Sequence, residues 1–195
     1  MQKDWKTSEE ILNKDGVVVL PTDTLYGIIG KALSKKTVER IYKIKGRDRS
    51  KPFIILISSL NDLKIFGVNL PLLRGSGQRP RGSVFKPKMT VILPCLLKKF
   101  EYLHRGVKSI AFRMIGPKNK NLLNLIKKVG PVVAPSANPQ DKKHADTIKE
   151  AKEYFGDKID LYINSGPKFG KSSTLIKFEN DKVIVLRQGQ VKVPK

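Results

Sequence analysis

The stretch PTDTLYG, residues 21–27, places two threonines, an aspartate and a tyrosine directly after the apolar run VVVL at 17–20. A tight turn needs only one or two polar residues, so three hydroxyls and a carboxylate require a further explanation. Either these side chains bond to the backbone of the turn, or they form one wall of a site for a polar ligand. We expect Asp23 to cap the turn rather than pair with a cation, and Gly27 to let the backbone bend.

Two more polar clusters follow apolar segments further along the chain. Ser136 to Asn138 come directly after PVVAP at 131–135, and Ser165 to Thr174 follow DLYIN at 160–164. Ligands of α/β proteins tend to bind beyond the ends of strands, where loops can converge. The sequence therefore marks three strand ends at which a ligand site can form.

Cations that suit a phosphate ligand alternate in the segment KIKGRDRSKP at 43–52. Lys45 can be explained by its place at a helix C-terminus, but Arg47, Arg49 and Lys51 run past the end of that helix. In an extended segment this alternation puts the charged groups on one side, where a triphosphate can hold them together. Arg113 lies inside the apolar run SIAFRMI, so we expect it to meet either a ligand or a buried carboxylate.

Several other kinds of chemistry have no support in the sequence. There is no GxxxxGK[ST] loop, no GxGxxG fingerprint and no serine nucleophile motif. Cys95 is the only cysteine and is interpreted as a packed apolar residue, and the two histidines form no Cys/His metal set with it. An enzyme of this sequence would bind and orient phosphates rather than form a covalent intermediate, and we predict no metal site.

Length and charge limit the class of protein and its partners. The chain has 195 residues, which suits one domain over 1–195. Its 39 basic and 17 acidic residues give a net charge of +22, which favours polyanionic partners or reflects a lysine-rich composition spread along the chain. No apolar stretch approaches a membrane span and the N-terminus lacks a signal peptide, so we expect a soluble cytoplasmic protein without a membrane partner.

The pattern of apolar residues predicts an α/β or α+β fold with a mixed, twisted sheet. Ser8, Ser34, Ser59 and Asp146 are the predicted helix caps, and Gly46 and Gly130 end two of the helices. Residues 69–88 have no period and predict a long loop. The predicted helices cover 8–14, 34–46, 60–66, 120–130 and 146–156, and the predicted strands cover 16–20, 53–58, 89–95, 109–115, 131–135, 160–166, 173–178 and 182–187, the last two as a hairpin.

These motifs, taken together and in order, closely resemble the YrdC-like threonylcarbamoyl-AMP synthases. The resemblance rests on PTDTLYG, KGR, KPF, FR, APSAN and SST…LRQG, and it runs over about residues 16–190. It implies a YrdC-like fold, with a twisted mixed sheet flanked by helices around a concave basic cleft. It also implies a reaction in which L-threonine, bicarbonate and ATP give threonylcarbamoyl-AMP and pyrophosphate, for N6-threonylcarbamoyladenosine in tRNA.

The resemblance implies a role for each matching residue. Lys45 and Arg47 would act on the phosphates during the reaction. The residues implied for L-threonine are Thr22, Tyr26, Arg113 and Ser173. The residues implied for ATP are Lys45, Arg49, Ser109, Ser136, Asn138, His144 and Arg187. Mg²⁺ would arrive on the phosphates of ATP, and the implied macromolecular partners are tRNA or double-stranded RNA and the transferase proteins that use the product.

The sequence departs from the family pattern in two segments. The family's aromatic-Pro-Gly-Pro-[Leu/Val]-Thr stretch reads FKPKMT at 85–90, and PQDKKHADT at 139–147 follows SAN with His144 where a serine is common. Family members often have a helix before FKPKMT, but residues 71–84 look irregular. Two alternatives therefore stay open: a non-catalytic protein that binds tRNA or rRNA through the same cleft, and the carbamoyl-AMP chemistry of hydrogenase-maturation relatives, which are much longer chains.

Overall fold

A computed structural model describes residues 2–68, 85–180 and 182–193, and within them one mixed β-sheet carries helices on both faces. The strands are β1 Val18–Pro21, β2 Tyr26–Lys31, β3 Ile54–Ile57, β4 Met89–Pro94, β5 Ser109–Met114, β6 Val132–Val133, β7 Leu161–Tyr162, β8 Thr174–Glu179 and β9 Lys182–Arg187. The helices are α1 Gln2–Asn13, α2 Lys35–Lys45, α3 Glu101–His104, α4 Lys120–Val129 and α5 Ile148–Phe155, with 3₁₀ turns at Leu60–Phe66, Lys98–Phe100 and Gly156–Lys158. The predicted mixed sheet with flanking helices is confirmed.

Strand pairing explains why the sheet is mixed. The strand order is β7-β1-β2-β6-β3-β5-β4-β8-β9. The β1–β7, β3–β5 and β4–β8 pairs are parallel, and the remaining neighbours are antiparallel. The antiparallel β8–β9 pair confirms the predicted hairpin.

Side chains that point alternately to the two faces of the sheet divide the apolar core into two clusters. In β1, Val19 belongs to the larger cluster, which includes buried residues of α2 and α5, while Val18 and Leu20 pack with α1 and α4. Successive side chains of a strand point to opposite faces, so a run such as VVVL is apolar throughout because both of its faces are covered.

The ends of α2 are those that the sequence predicts. The Ser34 hydroxyl accepts a hydrogen bond from the backbone N–H of Thr37 at 3.3 Å, and Gly46 takes the left-handed conformation with φ 59°. A side-chain oxygen at the first position and a glycine at the last satisfy backbone groups that the helix itself cannot pair. This helix ends directly before the basic segment 46–52 and so fixes where that segment begins.

Two other predicted caps are wrong. Helix α1 begins at Gln2, and Ser8 lies inside it with its hydroxyl donating to the Trp5 carbonyl at 2.7 Å. Helix α5 is capped by Thr147, whose hydroxyl accepts from the Glu150 N–H at 3.2 Å, and not by Asp146. At the start of α5 a second residue that can cap a helix, Thr147, follows Asp146 directly. At α1 the helix continues on the N-terminal side of Ser8.

Strand β2 is not among the predicted strands, because Gly27 after the polar PTDT stretch indicates a bend. Gly27 lies inside β2, where a Cβ would come 3.0 Å from Thr22 Cγ2, and it pairs with Ser136 in an isolated antiparallel bridge. Close packing against neighbouring segments, not backbone bending, therefore explains this glycine.

Two further sequence predictions concern other parts of the chain. Most of the predicted 69–88 loop, together with the question of a helix at 71–84, lies outside the described residues. Among the residues that are described, no helix is both long and apolar enough to cross a membrane.

Asp160 joins three segments and should contribute measurably to stability. Its Oδ2 accepts from the Val17 N–H and from Arg40 Nη1, both at 2.7 Å, and its Oδ1 accepts from Arg40 Nη2 at 2.9 Å. We expect Asp160→Ala to lower the free energy of unfolding by about 1–3 kcal/mol at pH 7, because it leaves the buried Val17 amide without a partner.

The pH dependence of this effect follows from the carboxylate. The bonds to Arg40 and Val17 hold the pKa of Asp160 below its usual value of 3.8. Its stabilisation is therefore complete above pH 4 and is lost as the pH falls through the lowered pKa. Urea unfolding at pH 7 and at pH 3 should show that wild type and Asp160→Ala differ less in free energy of unfolding at pH 3. Glu179→Ala, which removes an exposed pair with Lys177, should change stability by less than about 0.5 kcal/mol.

Candidate active site

The three polar clusters marked by the sequence come together around one small pocket. Its volume is about 120 Å³, well below that of a drug-sized site, which suits a small ligand or one end of a larger one. Seven of the predicted site residues line it: Thr22, Tyr26, Arg47, Arg113, Ser136, Ser173 and Arg187. The rest of the lining is Thr24, Leu25, Gly27, Pro52, Phe53, Ile54, Ala134, Pro135 and Ser172.

Strand pairing brings the first two clusters together. The backbone N–H of Ile28 donates to Pro135 O, and that of Ala137 donates to Tyr26 O, both at 2.9 Å. The third cluster is joined through Tyr26, whose hydroxyl donates to Gly166 O at 2.7 Å and accepts from Ser165 N at 3.0 Å. Tyr26 is fully buried, so this phenol fixes the 165–173 loop against β2.

Thr22 holds the PTDT turn through its own hydroxyl. The Oγ1 donates to Leu25 O at 2.7 Å and accepts from the N–H groups of Thr24 at 3.2 Å and Leu25 at 3.3 Å. A hydroxyl has one proton to donate, and here the turn uses it. The Thr22 side chain thus bonds to the backbone of the turn, which is one of the two alternatives that the sequence leaves open. A direct bond from Thr22 to a ligand stays a prediction.

Arg113 is fully buried and has a carboxylate partner. Its Nη2 lies 3.2 Å from Asp23 Oδ1, and its Nη1 donates to Thr24 Oγ1 at 3.2 Å. The expectation that Asp23 caps the turn is wrong, because this carboxylate is the counter-charge that a buried guanidinium requires. The Nε of Arg113 is also buried and has no hydrogen-bond partner among the described residues, although the side chain lines the pocket.

Ser173 and Arg187 form a second polar group on the wall. The Ser173 hydroxyl lies 2.7 Å from Thr90 Oγ1, and the Arg187 guanidinium donates to Ser173 O at 3.1 Å and 3.2 Å. The pairing of β4 with β8 and of β8 with β9 sets this arrangement. Thr90, the threonine that ends FKPKMT, thus supports the site without lining it.

Lys45 reaches the SAN loop from the end of α2. Its ammonium donates to Ser136 O at 2.6 Å and to Asn138 O, while Ser136 Oγ donates to Asn138 Oδ1 at 2.6 Å. Burial, and to a smaller extent the charge of Arg47, lowers the pKa of Lys45 from 10.5 to about 7. Neither Lys45 nor Asn138 lines the pocket. Two of the three ammonium protons of Lys45 are used by the carbonyl groups of Ser136 and Asn138.

The predicted side-by-side arrangement of the alternating cations is wrong. Residues 48–51 form a turn, in which Asp48 Oδ1 accepts from Ser50 N and Ser50 Oγ, both at 2.8 Å. The turn sends the side chains apart, since Arg47 lies over Phe53 while Arg49 is 61% exposed and pairs with Glu39 at 3.2 Å. Of these cations only Arg47 lines the pocket.

Ser109 and His144 are two further predicted ATP contacts that do not line the pocket. Ser109 begins β5 and pairs with Pro94, at the opposite end of the strand from Arg113. His144 Nε2 lies 3.2 Å from Asp146 Oδ1 in the loop after SAN. Phe53, Ile54 and Ser172 also line the pocket but are not among the predicted site residues, although the motifs KPF and SST contain two of them.

The charges of the pocket favour an anionic ligand. Arg47, Arg113 and Arg187 line it, while its described lining contains no Asp or Glu. Only Arg113 has a buried carboxylate partner, so the positive charge is not fully compensated. Guanidinium groups bind carboxylates and phosphates in paired hydrogen bonds, which matches a ligand that carries either group. The described residues hold no group of three His, Cys, Asp or Glu side chains that could bind a metal ion.

Comparisons with known proteins identify similar chains. A model of the Sua5/YciO/YrdC family, described as "Telomere recombination", matches residues 10–189. A putative threonylcarbamoyl-AMP synthase of Methanocaldococcus jannaschii is 31% identical over 192 residues, covering 96% of this chain and 86% of the relative. A threonylcarbamoyl-AMP synthase of Pyrococcus abyssi is 29% identical over 195 residues, and the match spans only 55% of its length.

Solved structures give the same relationship. The crystal structure of P. abyssi Sua5 complexed with L-threonine has a TM-score of 0.81 and 27% identity, covering 97% of this chain and 55% of that one. The crystal structure of Escherichia coli YciO has a TM-score of 0.78 and 25% identity, covering 97% of this chain and 90% of that one. The chain thus spans about half the length of the Sua5 relatives and most of the length of YciO.

Proposed function

Because the chain belongs to the Sua5/YciO/YrdC family, we propose that it is an L-threonylcarbamoyladenylate synthase. The observation that carries the proposal is the pocket itself, which joins a buried arginine with an unpaired N–H to two further arginines and several hydroxyl groups. Such a pocket suits a small amino acid carboxylate next to a phosphate. The similarity to a Sua5 that was crystallised with L-threonine supports the same assignment.

The amino acid end of the site is assigned to the PTDT turn and to β5. Arg113 would bind the threonine carboxylate, using the Nε–H that has no acceptor among the described residues. Thr22 and Tyr26 would form the adjoining wall, and Ser173 would close it. Asp23 would keep the guanidinium charged and oriented while the substrate binds.

The nucleotide end is assigned to the arginines and to the loops beside the pocket. Bicarbonate and the threonine amino group give a carbamate with loss of water. A carbamate oxygen then bonds to the α-phosphorus of ATP as the bond from that phosphorus to the pyrophosphate oxygen breaks. Lys45, Arg47 and Arg187 would stabilise the developing charge, since catalysis of phosphoryl-type transfer rests on positioning and fixed cations.

Most of the other predicted nucleotide contacts do not line the pocket. ATP would reach them only if side chains move or if its binding site extends beyond the pocket. Arg49 would leave Glu39 to reach the phosphates, and Ser109, Ser136, Asn138 and His144 would contact other parts of ATP. Mg²⁺ would be held by the phosphate oxygens of ATP, as is usual for this ion. We also propose that residues 1–195 act as a single domain, in the cytoplasm, and pass the product to transferase proteins that modify tRNA.

Pyrophosphate release should require L-threonine and bicarbonate together with ATP. Removing either should reduce the rate to the background of ATP alone, because the attacking group is the carbamate formed from both. Serine should replace threonine better than valine or 2-aminobutyrate if a pocket hydroxyl recognises the substrate hydroxyl, since a site made to bond a hydroxyl rejects analogues that lack it. The measurement is a coupled pyrophosphate assay with adenylate product identified by mass spectrometry. ATP hydrolysis that is equally fast without threonine would contradict the synthase assignment.

A further inference from the structure

Four side chains form a continuous stack that ends at the candidate pocket. The rings of Tyr42 and Phe53 are stacked with centroids 4.0 Å apart and 24° between their planes. The Arg105 guanidinium carbon lies 4.1 Å from the Tyr42 centroid, and that of Arg47 lies 5.4 Å from the Phe53 centroid. Two groups about 4 Å from the same ring must occupy its opposite faces, so Arg105 and Phe53 enclose Tyr42. Arg47 contacts the Phe53 ring, so the contacts run from Arg105 through Tyr42 and Phe53 to Arg47.

Hydrogen bonds fix the inner part of this stack. The Tyr42 hydroxyl donates to Lys51 O at 3.0 Å, and Arg47 Nε donates to the same carbonyl oxygen at 3.1 Å. Arg47 is thus held by one hydrogen bond and by one aromatic ring, and both of these groups are in turn held by Tyr42. Its guanidinium still lines the pocket.

Arg105 occupies a conformation that its residue type disfavours. Its φ is 51°, in the left-handed region where glycine is at an advantage. The side chain is nevertheless only 12% exposed, and its Nη2 lies 2.7 Å from Glu39 Oε1. Backbone geometry alone would favour glycine here, so the arginine side chain is the part of this residue that needs an explanation.

We propose that Arg105 and Tyr42 are positioning residues that hold Arg47 at the phosphate end of the pocket. Neither residue lines the pocket, so they act through the stack and not by contact with substrate. The cation over the outer face of Tyr42 completes the packing of that ring, and the ring fixes Phe53 and the Lys51 carbonyl on which Arg47 rests. The catalytic part of this inference rests on the proposed function, whereas the structural part does not.

The kinetic test uses Arg105→Gly, a substitution that the backbone at this position accepts without strain. We expect kcat for threonine-dependent pyrophosphate release to fall about three- to tenfold, with the KM for threonine unchanged. Lys108→Gly is the matched control, because Lys108 is an exposed cation in the same loop with φ 53°. It should leave kcat unchanged. Arg105→Lys, which keeps a cation at this position, should lower kcat less than Arg105→Gly does.

Coupling to Arg47 separates positioning from a general loss of stability. In an Arg47→Ala background, Arg105→Gly should have no further effect on kcat, because the group that it positions is absent. Tyr42→Phe keeps the rings stacked and removes the hydroxyl that donates to Lys51 O, so it should have a smaller effect than Tyr42→Leu. Independent, multiplicative losses from Arg47→Ala and Arg105→Gly would overturn the proposal, as would equal effects of Arg105→Gly and Lys108→Gly.

A measurement without substrates keeps this inference distinct from the proposed function. In protein labelled with ¹⁵N-arginine, the Nε–H resonance of Arg47 can be assigned by its loss in Arg47→Lys. We expect it to be shifted by the Phe53 ring and protected from exchange with water, and Arg105→Gly should reduce both properties. A wild-type protein without synthase activity would overturn the proposed function alone. An Arg47 resonance that Arg105→Gly leaves unchanged would overturn the stack.

Discussion

Replacing Arg113 with methionine is expected to lower the free energy of unfolding by about 3–5 kcal/mol and to abolish threonine-dependent pyrophosphate release. Arg113 and Asp23 form a pair whose side chains are 5% and 0% exposed. Removing the guanidinium leaves a buried carboxylate whose two oxygens have no hydrogen-bond partner in the described structure. The cost therefore comes chiefly from the charge that is left behind.

A double variant separates this stability effect from the role in binding. Asp23→Leu together with Arg113→Met replaces the whole ion pair by apolar groups, a change that is often neutral or stabilising for buried pairs. We expect unfolding free energy close to that of wild type and no threonine-dependent activity. Urea unfolding and the pyrophosphate assay on both single variants and the double variant complete the cycle.

The control for Arg113 is an exposed ion pair with a similar distance between its charged atoms. Lys128 and Glu9 lie 2.7 Å apart with the lysine 63% exposed, so Lys128→Met should cost less than about 0.5 kcal/mol and leave activity unchanged. If the double variant folds normally and releases pyrophosphate at the wild-type rate, Arg113 has no part in binding threonine. If Arg113→Met alone is as stable as wild type, the pair is not the buried counter-charge inferred here.

The parts of the fold that sequence predicted well are those controlled by local interactions. Helix α2 has a serine at its start, a glycine in the left-handed conformation at its end, and apolar residues at helical spacing between them. Each of these signals acts within a few residues, so the sequence pattern reports it directly. Arg113 was likewise predictable, because a cation within an apolar strand demands a carboxylate or a ligand wherever the strand lies.

The errors occur where distant segments decide the outcome. Gly27 reads as a bend residue, yet it lies within β2 because the Thr22 methyl group and the Ser136 loop pack against it. Asp23 is adjacent to residues that it could cap, but its partner Arg113 is ninety positions away along the chain. No periodicity in the sequence reports such a contact.

The basic segment shows the same limit for side-chain direction. Alternation of charge predicts a shared face only for an extended backbone, and residues 48–51 instead form a turn. The sequence contains this turn, since an aspartate two residues before a serine is a known turn signal. Charge alternation identified the cations, but the residues between them determine where each cation points.

Lys45 carries its charge in a position that burial makes unfavourable. It is 3% exposed, and its pKa is lowered to about 7 by burial and by Arg47, although the carbonyl contacts with Ser136 and Asn138 favour the charged form. A lysine in such surroundings is a candidate for a functional charge, and under the proposed function that charge meets the phosphates of ATP.

We therefore expect Lys45→Met to weaken ATP binding about 10- to 150-fold, the scale of a lost charge-assisted hydrogen bond. Wild-type affinity should also fall as the pH rises above 7, where the free protein loses the ammonium proton, while the affinity of the variant should not. Calorimetric titration with ATP at pH 6.5 and 8.5 measures both effects. Lys51→Met is the control, because Lys51 lies in the same segment but is 57% exposed. An equal loss in the two variants would mean that ATP responds to the general positive charge and not to Lys45.

The same substitution should alter the pH dependence of stability. Between a folded pKa of about 7 and the ordinary value of 10.5, the unfolded chain binds a proton at Lys45 that the folded chain lacks. The free energy of unfolding of wild type therefore rises with pH across this window, and the gain is lost again as the pH falls from 10.5 to about 7, below which both states hold the proton. Relative to Lys45→Met, wild type should gain roughly 2 kcal/mol between pH 7 and pH 9 in urea unfolding. A difference that stays constant with pH would mean that the carbonyl groups of Ser136 and Asn138 keep Lys45 charged throughout, and the expected fall in ATP affinity above pH 7 would then be absent as well.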